Sequence, residues 1–265
     1  MAAAHADSFV QAGSPAPDMR LVCFPHAGGA PSAFRGWADQ LPTGIGLLTA
    51  CYPGRHNRFI DPHPASLEEL ADELADALQP YLDTPVALFG HSMGAALAYE
   101  VALRLEQRHG VGPLRLFVSG HPAPQLAREA GTDHQDAEAL ISHVNRLGSA
   151  TAGLLDIPEL REIALATLSA DYGLIETYRP PAPAAVGCPV VGYVGDQDHD
   201  CPPDDVRAWA QLSSGRFEFR SFPGNHFYLE EHEAELVRQV VGHLQDDLRL
   251  RRVLGATPVG GGRAR

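Results

Sequence analysis

The chain has little that could staple it covalently or through a metal. Its four cysteines, Cys23, Cys51, Cys188 and Cys201, are scattered with no CxxC spacing, so neither a disulfide framework nor a zinc cluster is expected. The first three read as small core or strand-edge residues. No apolar run reaches the length of a membrane span, and the opening MAAAHADSFVQAG lacks the basic start and continuous apolar stretch of a secretory signal. A cytoplasmic protein with no membrane partner is therefore expected. Positive charge is also short: 20 basic against 33 acidic residues give a formal net charge of −13. That balance argues against general nucleic-acid binding, and an acidic protein partner would need a local basic patch to dock. With 45% hydrophobic and 7% aromatic residues in 265, the composition fits one large soluble core with a modest insertion.

What is present is an alternation of strand and helix. Residues 20–24 read as a buried strand ending in the glycine-rich turn Pro25-His26-Ala27-Gly28-Gly29-Ala30, before a helix-like segment at 32–41. A second strand at 46–52 leads to Pro53-Gly54-Arg55. Ser66 and Glu69 form a capping box at the head of a helix over 66–82, with Leu67, Leu70, Leu74 and Leu78 at helical spacing. Further strands are expected from Val86 up to the turn that begins at Gly90, and at 114–119. Across 122–183 the alternation lapses into helical stretches, and it resumes with strands at 189–194 and 217–222 and helices at 203–212 and 230–244. This pattern predicts a mostly parallel sheet covered on both faces, interrupted by an insertion on the side where strands end. The organisation expected is a flexible N-terminal arm over 1–18 and an α/β core over 19–121 and 184–250. A helical lid over 122–183 and a flexible tail over 251–265 complete it.

The chemistry concentrates at Val86–Gly94, where an apolar strand runs into the GxSxG turn Gly90-His91-Ser92-Met93-Gly94 and then into a helix. A residue at the apex of such a reversal is held in a strained conformation, and its neighbours two positions away must be small. Ser92 would stand exposed at the positive end of the following helix. A serine hydroxyl needs a histidine base, oriented by a carboxylate. His226 follows the 217–222 strand, and Gly195-Asp196-Gln197-Asp198-His199-Asp200 follows the 189–194 strand. Among the three carboxylates Asp198 is the expected partner, with Asp196 the alternative and Asp200 third. His26, His91 and His121 also lie after strands but break the order Ser, Asp, His. The backbone N–H groups of Ala27 and Met93 are the expected donors to an oxyanion.

Taken together, FPHAGGA (24–30), YPGR (52–55), FGHSMGA (89–95), SGHPAP (119–124), GDQD (195–198) and PGNHFYL (223–229) resemble the type II thioesterases of polyketide synthase and nonribosomal peptide synthetase systems. The resemblance covers about residues 20–244. It implies an α/β-hydrolase fold with a lid, a Ser92, Asp198 and His226 triad, and Ala27 and Met93 as oxyanion donors. The implied activity is hydrolysis of acyl groups from the phosphopantetheine thiol of acyl or peptidyl carrier proteins. No metal or cofactor is implied beyond the arm the substrate carries. The chain departs from the family pattern at His56-Asn57-Arg58, where members are often more acidic, and at Asn225, where glycine is common. The alternatives are a carboxylester hydrolase with the same triad and a noncatalytic binding protein of the same fold.

Overall fold

A computed structural model describes residues 7–126, 135–148, 155, 157–253 and 255. Strands β1 (Phe9–Gly13), β2 (Met19–Phe24), β3 (Ile45–Ala50), β4 (Val86–His91), β5 (Leu116–Ser119), β6 (Val190–Gly195) and β7 (Phe217–Phe222) form one sheet. Its order is β1-β3-β2-β4-β5-β6-β7, and every pairing except β1 with β3 is parallel. The central strands are buried on both sides, so their side chains divide by parity. Val22, Phe24, Leu48 and Leu88 meet Leu70 and Leu74 of α2 (Leu67–Leu78) and Leu97 and Val101 of α3 (Met93–Arg104). Leu21, Cys23, Leu47 and Phe89 face the other way. They pack on Trp37 of the short α1 (Arg35–Ala38) and on Leu236 and Val240 of the C-terminal helix Glu233–Val253. Each such side chain contributes about 1.5–3 kcal/mol by leaving water, which makes the two layers the main source of stability.

The helix α2 starts as its sequence predicts, with one adjustment. The Glu69 N–H donates to Ser66 Oγ at 3.1 Å, but the Glu69 carboxylate accepts from the Ala65 N–H (2.7 Å), one residue further back than in a closed capping box. The expected helices at 32–41 and 203–212 are each broken into a 3₁₀ turn and a short α-helix, the second of these being α6 (Pro203–Arg207). Between β5 and β6 lie α4 (Ala137–Leu147), capped by Asp136, and α5 (Pro158–Thr177), joined through Leu140, Val144 and Leu168. No strand occurs among the described residues of 122–183. Residues 127–134, 149–154 and 156 of the expected lid, 1–6 of the expected arm, and 254 and 256–265 of the expected tail lie outside the described residues.

The expectation of a loose arm over 1–18 is corrected by β1. Residues 9–13 pair antiparallel with β3, and Phe9 is buried edge-on against Phe24 with ring centroids 6.5 Å apart. A short edge strand flanked by Ala, Ser and Pro carries almost no pattern of its own; its order comes from the neighbour it pairs with. The last helix also runs past the expected 230–244. After the four-residue α7 (Tyr228–Glu231), α8 continues as Glu233–Val253, so residues 251–253 are helical rather than tail.

The tightest backbone approach lies where α3 leaves β4. A Cβ on Gly94 would stand 2.0 Å from the Phe24 carbonyl oxygen and 2.6 Å from that of Pro25, and one on Gly90 would stand 2.0 Å from the Gly94 oxygen. Glycine is the only residue these contacts admit, since backbone atoms on both sides must move before a methyl can enter. Gly94→Ala is therefore expected to destabilise the chain by at least about 3 kcal/mol, read as a fall in the urea unfolding midpoint. A midpoint equal to that of the unmodified chain would show that the two segments are not so tightly apposed.

Candidate active site

Ser92 occupies the corner between β4 and α3 with φ 55° and ψ −125°, a left-handed conformation that a non-glycine residue adopts only under constraint. Its own N–H donates to the Ser119 carbonyl across β5 (2.8 Å), and its carbonyl accepts from Ala95 N (2.8 Å). The corner is thereby fixed from both sides while the side chain stays only half-buried. The N–H of Met93 is the first of α3 and has no acceptor within the helix. Because Gly94 lies on the backbone of Phe24 and Pro25, the start of α3 abuts the turn that carries Ala27.

His226 sits in the loop between β7 and α7. Asn225, one residue earlier, turns that loop by accepting from Phe227 N through Oδ1 (2.9 Å). His226 Nδ1 and Asp198 Oδ2 are 2.7 Å apart, and both residues are buried. The other carboxylate oxygen of Asp198 accepts from the N–H groups of Asp200 (3.1 Å) and Cys201 (3.0 Å). With an acceptor-only carboxylate on Nδ1, the proton resides there and Nε2 is left as the proton-accepting nitrogen. The imidazole of His226 lies 5.0 Å, centroid to centroid, from that of His91, the residue before Ser92.

The two other candidate carboxylates go elsewhere. Asp196 is exposed and accepts from Gly224 N (3.0 Å), tying the loop after β6 to the loop that bears His226. Asp200 faces His143 and Arg146 of α4, each at 3.7 Å. Among the described residues no group of three or more His, Cys, Asp or Glu could hold a metal ion, and no helix is long and apolar enough to cross a membrane.

Two features had no role assigned from the sequence. One is a set of neutral imidazoles around His226. Burial holds His26 down to about 3 and His121 to about 4, and pushes His91 well below the usual histidine value; the neighbouring His226 acts in the same direction on all three. His91 Nδ1 is 2.9 Å from Ser119 Oγ, which is 2.7 Å from Tyr228 OH, so a chain of neutral hydrogen bonds runs beneath the serine. The other is Asp171 on α5, buried against Arg55 and accepting from Gly28 N at 2.7 Å. Its only sequence signal is one carboxylate within the run Ile163-Ala164-Leu165-Ala166-Thr167-Leu168 and its continuation to Leu174.

Serine after β4, carboxylate after β6 and imidazole after β7, all delivered to the same end of a parallel sheet, is the chain order of the α/β-hydrolase fold. Residues 19–248 match the family model described as "Thioesterase domain". Thioesterase PikA5 of Streptomyces venezuelae is 39% identical over 233 residues, which is 87% of this chain and 83% of that one. The solved structure of the type II thioesterase BorB, from the borrelidin biosynthetic cluster, aligns with a TM-score of 0.80 and 36% identity over 89% of this chain and 97% of its own. RedJ, a thioesterase from the prodiginine pathway of Streptomyces coelicolor, aligns with a TM-score of 0.79 and 36% identity over 87% and 88%. The chain belongs to the thioesterase family and is a hydrolase acting on thioesters.

The three neutral imidazoles carry a consequence for stability. His26, His91 and His121 bind protons less readily folded than unfolded, where histidine titrates near 6.5. Their contribution is therefore complete above about pH 6.5 and is lost progressively as the pH falls towards 4 and below. Urea unfolding is expected to shift to lower midpoints between about pH 7.5 and about pH 5, and His121→Gln to reduce that pH-dependent shift. An unchanged shift in His121→Gln would mean that this imidazole takes up its proton in the folded chain as readily as in the unfolded one.

Proposed function

We propose that the chain is a type II, editing thioesterase that releases acyl groups from the phosphopantetheine thiol of acyl or peptidyl carrier domains in a polyketide synthase or nonribosomal peptide synthetase. The observation that carries this reading is the buried 2.7 Å His226–Asp198 pair beside a strained serine elbow, in a chain of the thioesterase family. The biosynthetic settings in the names of BorB and RedJ support carrier-bound substrates.

In this reading Ser92 Oγ attacks the thioester carbonyl while His226 Nε2 takes its proton. Asp198 holds the imidazole in the required tautomer and stabilises its charged form. The oxyanion is met by the N–H groups of Ala27 and Met93, each worth a few kcal/mol of barrier. Collapse breaks the C–S bond, His226 gives its proton to the departing thiolate, and the acyl group remains on Ser92. Water then attacks the acyl-enzyme with His226 again as base, yielding the free acid and restoring the serine. Because the substrate brings its own phosphopantetheine arm, no cofactor takes part. The helices α4 and α5 act as the lid over the acyl group.

Ser92→Ala is expected to lower turnover of acyl-loaded carrier protein by on the order of 10⁶ with the fold intact, and Asp198→Asn by on the order of 10⁴. Asp196→Asn should cost far less, since its oxygen holds only Gly224 N. Near-normal turnover in Ser92→Ala refutes the nucleophile, and a reversed order for the two aspartates moves the acid. Faster hydrolysis of matched oxygen esters than of carrier thioesters would make the chain a carboxylester hydrolase.

A further inference from the structure

The motif Tyr52-Pro53-Gly54-Arg55 takes no part in the chemistry proposed above, yet it ends in a buried charge. The Arg55 and Asp171 side chains are 7% and 2% exposed and meet as a fork, Nη1 to Oδ2 and Nη2 to Oδ1 at 2.7 Å each. Every remaining bond of the pair goes to the two turns beside it. Asp171 Oδ2 also accepts from Gly28 N (2.7 Å); Arg55 Nη1 donates to the Gly29 carbonyl (2.9 Å) and Nε to that of Pro53 (3.2 Å). The guanidinium lies 5.2 Å over the Tyr52 ring, and the Tyr52 hydroxyl donates to the Pro25 carbonyl (2.8 Å). The peptide groups at 25, 28 and 29 are thus gripped on both sides of Ala27.

One arm of that grip comes from α5. Leu168, one helical turn before Asp171, lies on Gly28, where a Cβ would stand 2.4 Å from its Cδ2. Gly28 has φ 75°, so the turn needs both the absent side chain and a partner for its N–H. Thr167 Oγ1 approaches the Gly54 carbonyl at 3.4 Å on the same side of the helix. Buried ion pairs seldom add net stability against an apolar replacement, because desolvating both charges offsets their attraction. What a forked, fully bonded pair does provide is a fixed geometry.

We propose that Arg55 and Asp171 are positioning residues for acyl transfer: they set the direction of the Ala27 N–H and make it conditional on α5 being seated against the Gly28 turn. This rests on the reading of Ala27 as an oxyanion donor. With α5 lifted, Gly28 N loses its acceptor, Arg55 loses its fork, and the turn is free to rotate the donor away from the reacting carbonyl. Substrate binding does not need that donor, whereas the tetrahedral intermediate does, so the pair acts on kcat.

The test uses the full chain, an acyl-pantetheine thioester as substrate, and active sites counted by end-point labelling of Ser92 with a fluorophosphonate. In Asp171→Asn and in Arg55→Lys, kcat per labelled site is expected to fall about 30-fold or more while KM changes less than about threefold, the scale of a misplaced oxyanion donor. The double variant should be no slower than the worse single one, because the two residues act as a unit. If Asp171→Asn does not unfold cooperatively, Arg55→Lys, which keeps the charge and loses only the fork, decides the matter. A kcat per site within about threefold of the unmodified chain overturns the proposal, since a purely structural pair would lower only the labelled fraction and the unfolding midpoint. Ser92→Ala is run alongside: activity surviving there would sink the triad reading instead, leaving the two failures distinct.

Discussion

The site depends on one steric constraint, the absence of side chains where α3 leaves β4. Gly94 lies against the Phe24 and Pro25 carbonyls, and Gly90 against Gly94. That contact forces the residue between them into φ 55° and puts Ser92 at the end of the central strand. It also brings the first N–H of α3 alongside the turn after β2. The placement of the candidate nucleophile and that of the candidate oxyanion donors are thus set by the same backbone approach. The neighbouring strands then supply the rest in register, β5 by holding Ser92 N, β6 by delivering Asp198 and β7 by delivering His226.

Electrostatically, the site keeps its charges few and paired. Asp198 is filled by three donors, and Asp171 by a guanidinium and a backbone N–H. The surrounding imidazoles of His26, His91 and His121 are held neutral by loss of solvent, His91 being fully buried and the other two partly so. In the proposed acyl transfer, a positive charge forming on His226 would therefore meet Asp198 without competing cations from these three neighbours. This arrangement costs stability in acid, where these three imidazoles must take up protons in a dry setting.

Much of the fold could be read from the sequence because local patterns and tertiary structure agree. The apolar runs of β2, β4 and β6 are buried throughout, the Leu67, Leu70, Leu74 and Leu78 stripe is buried, and Ser66 caps its helix. Asp198 stood out by its place after a strand, and the structure sets it against His226. What escaped was information carried by partners far along the chain. Arg55 and Asp171 are 116 residues apart, and neither charge says from its neighbours that it will be buried. β1 takes its order from β3, to which it adds at the sheet edge. The resemblance singled out Arg55 as part of a motif, but its buried pairing with Asp171 became visible only with α5 in place.

The central claim is that Ser92 is the acyl-accepting nucleophile of a thioesterase site. Its most direct test is fluorophosphonate labelling of the folded chain, with the modified residue mapped by mass spectrometry and residual thioester hydrolysis measured on the same sample. A single adduct on Ser92 whose extent matches the loss of activity is the predicted result. An adduct on another residue with activity lost in step, or full hydrolysis after Ser92 is modified, would contradict it.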